Sequence, residues 1–135
     1  METILAFLCD YADTSGGKIN ALGIGFNTIH APKVPATHRL FFVVLKLKAG
    51  ITEAGAKSIE ISLIDADGKH VIPKISGSLT FPEVQGVTET FTQIAVAFNN
   101  VKFPEYGEYS LEVVIQGIRV ASLPLKVSPV QPVTK

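Results

Sequence analysis

The residues that could support nucleophilic or metal chemistry are one cysteine and three histidines: Cys9, His30, His38 and His70. A cysteine nucleophile needs a histidine within hydrogen-bonding reach, and a zinc site needs several such ligands to converge. A first hairpin that pairs Asp13 with Lys18 would place His30 opposite Met1, at the far end from Cys9. The spacing therefore favours Cys9 as a small buried hydrophobe and predicts no catalytic residue, no metal site and no cofactor.

The segment Asp65-Ala66-Asp67-Gly68 is similar to the start of a calcium-binding loop, in which carboxylates alternate before a glycine. Lys69 occupies the third ligand position here, and no glutamate follows at the required distance. Asp-Gly is also a common pair in tight hairpin turns. The segment therefore predicts a turn, and a weak calcium site completed by other loops stays open as an alternative.

The elements that would position these residues are strands, because apolar and polar side chains alternate along most of the chain between regular turn signals. We predict an all-β fold: a single antiparallel β-sandwich of about eight strands over residues 1–128. A proline-rich tail over residues 129–135 follows it. Before the final hairpin, the predicted strands cover residues 2–12, 18–30, 38–48, 58–65, 69–80 and 88–98. Pro73 donates no ladder hydrogen bond, so the strand over 69–80 is expected at an edge or with a bulge.

The final hairpin, FPEYGEYSLEVVIQGIRVASLPLKV over residues 103–127, is the clearest architectural signal in the chain. Tyr109 follows a proline and a glycine at the start of a strand. This arrangement predicts a tyrosine corner of the type seen in immunoglobulin-like sandwiches, with Tyr106 at its rim. Gln116-Gly117 predicts the tight turn to the last strand.

One strand has apolar residues on both of its faces. In LFFVVLKLK, over residues 40–48, one face carries Leu40, Phe42 and Val44 before it changes to lysine. An outer sheet face is normally polar, so these three residues need a cover. Two alternatives stay open: another part of the same chain, or an interface with a second copy or a protein partner.

The composition argues against two classes of partner. Lysine and arginine number 12, aspartate and glutamate also number 12, and no two lysine or arginine residues are adjacent. Nucleic acids and anionic membranes are bound by basic surfaces, so we expect neither partner. A single cysteine and the lack of a long apolar span or cleavable leader predict a cytoplasmic protein.

A wider resemblance covers most of the chain. CDYAD at 9–13, KINALGIGFNTIHAPKVPATH at 18–38, IDADG at 64–68 and the final hairpin resemble an uncharacterised family of small bacterial proteins, a domain of unknown function. The resemblance implies a β-sandwich and a bacterial source, and it supplies no catalytic residue.

With no catalytic constellation in the sequence, we expect a non-enzymatic interaction or assembly module that acts through its sheet faces or end loops. The alternative is a domain that binds a small ligand or carbohydrate through aromatic residues near one end. The candidate aromatics are Tyr11, Phe81, Phe103 and Tyr106.

Overall fold

The computed structural model describes residues 1–129, so the predicted tail lies outside the described residues except for Pro129. These described residues form ten strands and two short 3₁₀ turns. The strands are β1 (Glu2–Cys9), β2 (Tyr11–Asp13), β3 (Asn20–Leu22), β4 (Thr28–His30), β5 (Ala36–Gly50), β6 (Gly55–Asp65), β7 (Ile75–Phe81), β8 (Glu89–Phe103), β9 (Gly107–Ile115) and β10 (Ile118–Ser128). The turns are Ser15–Gly17 and Ile51–Glu53.

Eight strands make two sheets, as predicted for a sandwich. The three-stranded sheet has the order β1-β5-β8, and the five-stranded sheet has the order β4-β10-β9-β6-β7. The remaining two, β2 and β3, form a separate N-terminal hairpin over Tyr11–Leu22. The all-β prediction is confirmed, with one correction: β4 runs parallel to β10, so the sheets are not wholly antiparallel.

The core lies between the two sheets, where alternate residues of each strand point inward. On β5 these are Phe41, Val43, Leu45 and Leu47, and on β9 they are Tyr109, Leu111, Val113 and Ile115, all buried in one cluster. Phe41 stacks on Phe98 of β8 with ring centroids 4.9 Å apart. The period-two pattern therefore places the apolar face of each sheet on the inside.

The N-terminal region differs from the prediction. The expected strand 2–12 stops at Cys9, and β1 pairs with β5, Cys9 opposite Phe42, rather than with residues 18–30. Within the N-terminal hairpin Asp13 lies opposite Asn20, not Lys18. The reason is local: the Asp13 carboxylate accepts hydrogen bonds from Ser15 and Asn20, and a 3₁₀ turn lengthens the connection.

The expected strand 18–30 is broken at Gly23-Ile24-Gly25. Gly23 has φ 67°, and a Cβ at this position would lie 2.1 Å from an Asp10 carboxylate oxygen. Only glycine fits such a left-handed, crowded position. The turn returns to β1, where the Gly25 N–H donates to the Leu8 carbonyl at 2.8 Å.

The tyrosine corner is present. The Tyr109 hydroxyl donates to the Glu105 carbonyl at 2.6 Å and accepts from the Glu105 N–H at 3.3 Å. Gln116 and Gly117 have φ values of 52° and 77°, as a two-residue hairpin turn with two positive φ angles requires. The corner and the turn fix the register of the final hairpin.

The hairpin around Asp65 is also confirmed. One Asp65 carboxylate oxygen accepts the N–H groups of Asp67 and Lys69, both at 2.9 Å, so the turn uses this carboxylate for its own backbone. After the turn the chain leaves the ladder near Pro73 and rejoins it as β7, which lies at the edge of its sheet.

Candidate interaction surface

The outer face of the three-stranded sheet has two parts, and the N-terminal hairpin covers the first. Val44 is 0% exposed and forms a second buried cluster with Cys9 and Ala12. The Tyr11 ring meets the ring of half-buried Phe42 edge-on at 5.2 Å. The predicted need for a cover is therefore met here by the same chain.

The predicted interface residues accordingly differ in their environments. Leu40 and Phe42 are half-buried, whereas Val44 has no exposed surface while the N-terminal hairpin is in place. Self-association through residues 40–44 stays a prediction, and only Leu40 and Phe42 offer surface for it.

The second part of this face is open and partly apolar. Leu5 on β1 and Phe91 on β8 are 45% and 46% exposed, and the Lys46 ammonium lies 5.5 Å from the centre of the Phe91 ring. A groove of about 470 Å³ lies between the tip of the N-terminal hairpin and the pair formed by Lys46 and Phe91. Its lining residues are Thr14, Gly17, Lys46, Phe91, Thr92 and Gln93.

β8 forms the free edge beside this open part. Within residues 1–129 it pairs with β5 alone, along 15 residues from Glu89 to Phe103. None of the 12 residues between Glu89 and Lys102 is charged or proline. A long, uncharged edge presents unpaired backbone groups to any strand that can add to it.

The other three edges of the two main sheets carry features that hinder strand addition. β1 has a register irregularity between Thr3 and Leu5, and its Leu8 carbonyl already accepts a hydrogen bond from the Gly25 N–H. β7 is seven residues long and contains Gly77, and β4 has only three residues. Bulges, glycine and short length all weaken pairing at an edge.

Side chains on β8 also show that the sandwich is open along this edge. Ile94 and Val96 point inward and pack against the core, yet both are only half-buried. Their neighbours on β5, Leu45 and Val43, have no exposed surface. A further strand beside β8 would complete the cover of Ile94 and Val96.

This edge was not anticipated from the sequence, although its charge-free run was visible there. Alternation identifies a strand but not its place in a sheet, so an edge strand and a central strand look alike.

The outer face of the five-stranded sheet has a second groove, of about 710 Å³, lined in part by Ile64, Ser110, Ser122, Pro124 and Lys126. Beside it, Glu112 accepts hydrogen bonds from Ser110, Ser122 and Arg119, with the Arg119 Nη1 at 2.9 Å. The two serine hydroxyls at the groove are thus already used within the protein. Glu112 therefore links Ser110 on β9 with Ser122 and Arg119 on β10.

Burial is the largest single influence on Glu112 and raises its pKa, but the hydrogen bonds from Ser110, Ser122 and Arg119 together outweigh it, so the pKa is lowered. The side chain is 16% exposed. A lowered folded-state pKa means stability that is present above the unfolded pKa and lost as the pH falls through the folded one.

We expect Glu112→Gln to lower the free energy of unfolding by about 1–2 kcal/mol at pH 7, because hydrogen bonds to a charged acceptor weaken. The difference from wild type should shrink as the pH falls below about 4.5, the ordinary range of a glutamate pKa. Urea unfolding at several pH values measures it, with exposed Glu108→Gln on the same strand as the control. A difference that does not change between pH 7 and pH 3 would contradict the role of the charge.

The aromatic residues considered for ligand binding do not form one exposed group. Phe81 and Phe103 are fully buried, because they point into the core from the ends of β7 and β8. Tyr11 packs on Phe42, and the Tyr106 hydroxyl donates to the Ala31 carbonyl at 2.8 Å. Phe81 and Phe103 are therefore not among the exposed aromatics that would favour the ligand-binding alternative.

Cys9 is a buried free thiol, as predicted. Its Sγ contacts the Tyr11 carbonyl oxygen at 3.4 Å, beneath the N-terminal hairpin. Burial, followed by the neighbouring Asp10 charge, raises the pKa of the thiol. In the described part of the chain, no three histidine, cysteine, aspartate or glutamate residues are grouped as metal ligands would be.

We expect folded protein to react with a thiol reagent at pH 8 at least roughly a hundredfold more slowly than protein unfolded in urea, since both access and thiolate formation are suppressed. Absorbance of the released chromophore measures the two rates. Equal rates would show that the N-terminal hairpin does not cover Cys9.

Residues 1–129 include no helix with the length and apolar character needed to cross a membrane.

Comparison with known proteins shows the family. The model of a family of unknown function, DUF6941, matches residues 4–128. The chain belongs to this family. No curated protein matches this DUF6941 chain. A solved β-glucosidase from Listeria innocua, in complex with gluconolactone, is similar with a TM-score of 0.41 and 16% identity. The match covers 69% of the DUF6941 chain and 15% of the glucosidase chain, and a likeness of this size supports no argument about function.

Proposed function

We propose that this DUF6941 protein is a non-catalytic interaction module that binds a protein partner by adding the partner's strand to the free edge of β8. The observation that carries the proposal is the long uncharged edge described above, with half-buried Ile94 and Val96 beside it. In strand addition, main-chain hydrogen bonds supply affinity and alternate side chains supply specificity. The unpaired, buried Cys9 fits a cytoplasmic setting, where thiols stay reduced.

The chemistry of the β8 edge suits this role on both faces. Inward-facing Ile94 and Val96 offer apolar contact to a partner's inward residues. On the outer face Phe91 is exposed, and the alanines at 95 and 97 leave space for larger partner side chains. A partner strand that alternates apolar and small residues fits this edge best.

The test places a lysine on the inner face of the edge. In the free protein the long side chain of Val96→Lys can reach solvent around the open edge, but an added strand would bury its charge. Three proteins serve as baits in an extract of the host: wild type, Val96→Lys, and the control Ser78→Lys, which changes an exposed residue on the β7 edge. Quantitative mass spectrometry compares the partners, and urea unfolding first checks that each bait is folded.

We expect the same protein to be captured by wild type and Ser78→Lys and lost from Val96→Lys. Thr92→Lys, also inward-facing and half-buried, repeats the test at a second position. Equal capture by all folded baits would remove the β8 edge as the binding surface. In the captured complex, amide hydrogen exchange should slow in β8 more than elsewhere.

A further inference from the structure

We infer that the strand added to β8 is β8 of a second copy of this chain, in antiparallel orientation. The inference rests on the proposed function and names its partner. Two copies would then share one six-stranded sheet with the order β1-β5-β8-β8-β5-β1.

The charges at the two ends of β8 favour this arrangement. Glu89 stands at the start of the strand, Lys102 near its end, and no charged residue lies between them. An antiparallel copy brings each start against the opposite end, so unlike charges approach at both ends of the pair. A parallel copy would bring like charges together, which costs free energy across a strand pair.

Symmetry and local geometry together select a register. A two-fold axis perpendicular to the sheet keeps each face on its own side, so paired residues must face the same way. The regular part of β8 is limited by the Thr90 hydroxyl bond to the Pro82 carbonyl, at 2.6 Å, and by Asn100, which has φ 52°. The stretch 91–99 between these limits has its midpoint at Ala95.

A pair centred on Ala95 matches side chains on both faces. On the inner face Ile94 of one copy lies opposite Val96 of the other, so the two half-buried residues cover each other. On the outer face Ala95 meets Ala95, Gln93 meets Ala97, and no bulky pair lies at the centre. The same residues that leave the single sandwich open therefore complement themselves.

The register can be tested with charges at Gln93 and Ala97, which are half-buried and exposed on the outer face. Gln93→Glu with Ala97→Glu creates two like-charge pairs across the axis. Gln93→Glu with Ala97→Lys creates two opposite-charge pairs at the same positions. In both variants the new carboxylate at position 93 lies beside Lys46 of its own chain, its neighbour across the ladder. Both variants should therefore disturb the fold of the monomer to the same small extent.

Sedimentation equilibrium over a concentration series measures the dimer dissociation constant of wild type and both variants. We expect a wild-type dimer, a dissociation constant raised at least roughly tenfold in the Glu/Glu variant, and a value near or below wild type in the Glu/Lys variant. Hydrogen exchange of residues 91–99 should slow as the wild-type concentration rises. Far-ultraviolet circular dichroism checks that the variants are folded.

The outcomes separate the partner from the proposed function. The wild-type protein could be monomeric at all concentrations while capture of a host protein still depends on Val96. This result would overturn the inference that the partner is a second copy, and it would leave the proposed strand addition to β8 standing. A dimer that responds identically to both charge variants would overturn β8 self-pairing. If the backbone amide hydrogens of Ile94 and Val96 exchange at the same rate in monomer and dimer, the antiparallel pairing centred on Ala95 is likewise overturned.

Discussion

Tyr109→Ala is expected to lower the free energy of unfolding by about 3–5 kcal/mol, because it empties a large aromatic site in the core. Tyr109 is 5% exposed, and its ring meets Phe103 edge-on with centroids 5.0 Å apart. Its hydroxyl also makes both hydrogen bonds to the Glu105 backbone. The substitution therefore removes packing at the end of the sandwich and the tie that closes the β8–β9 corner.

Tyr109→Phe separates these two contributions. It keeps the ring and removes the hydroxyl, so we expect a loss of about 1 kcal/mol, the usual value of one hydrogen bond. Urea unfolding monitored by fluorescence or circular dichroism measures both variants. A Tyr109→Ala protein with the wild-type midpoint would show that the corner does not support the fold, and equal losses for the two variants would assign all of the effect to the hydroxyl.

Val44→Glu is expected to cost about 3–5 kcal/mol, since it places an unpaired charge where no water reaches. Val44 lies on the outer face of β5 and is fully buried beneath the N-terminal hairpin, with Cys9 and Ala12 as neighbours. Leu5→Glu is the matched control, because it adds the same charge to the same outer face of the same sheet at an exposed position away from β8. We expect the control to change stability by less than about 0.5 kcal/mol.

Urea unfolding and Cys9 labelling together show what the charge does at Val44. Loss of stability with rapid labelling below the unfolding midpoint would indicate that the N-terminal hairpin detaches first. Equal stability of Val44→Glu and Leu5→Glu would contradict the cover and return Val44 to the surface, as the self-association prediction requires.

The parts of the fold that local rules govern could be predicted from the sequence. The final hairpin depends on a two-residue turn and a corner that lies within four residues of Tyr109, and both were found where expected. The Asp65 turn follows from the hydrogen bonds of one carboxylate with the next residues. In each case the residues that decide the structure are neighbours in the chain.

The parts that depend on distant pairing could not be predicted in the same way. β1 pairs with β5, more than 30 residues away, although a local hairpin with residues 18–30 satisfied the same alternation. The two apolar faces of residues 40–48 required a cover but did not identify it. That β8 ends a sheet depends on where seven other strands lie, and no pattern within β8 encodes it.

The parallel pair of β4 and β10 sets a condition on synthesis. Thr28 of β4 precedes its ladder partner, Lys126 of β10, by 98 positions, and the five strands from β5 to β9 are made in the interval. Until residues 126–128 emerge, the segment around Ile29 has no strand to join, and the edge of β9 that β10 later occupies is bare. The nascent chain therefore completes its five-stranded sheet only after β10 has emerged, and a shortened product that stops before β10 would present an unpaired β9 to other chains.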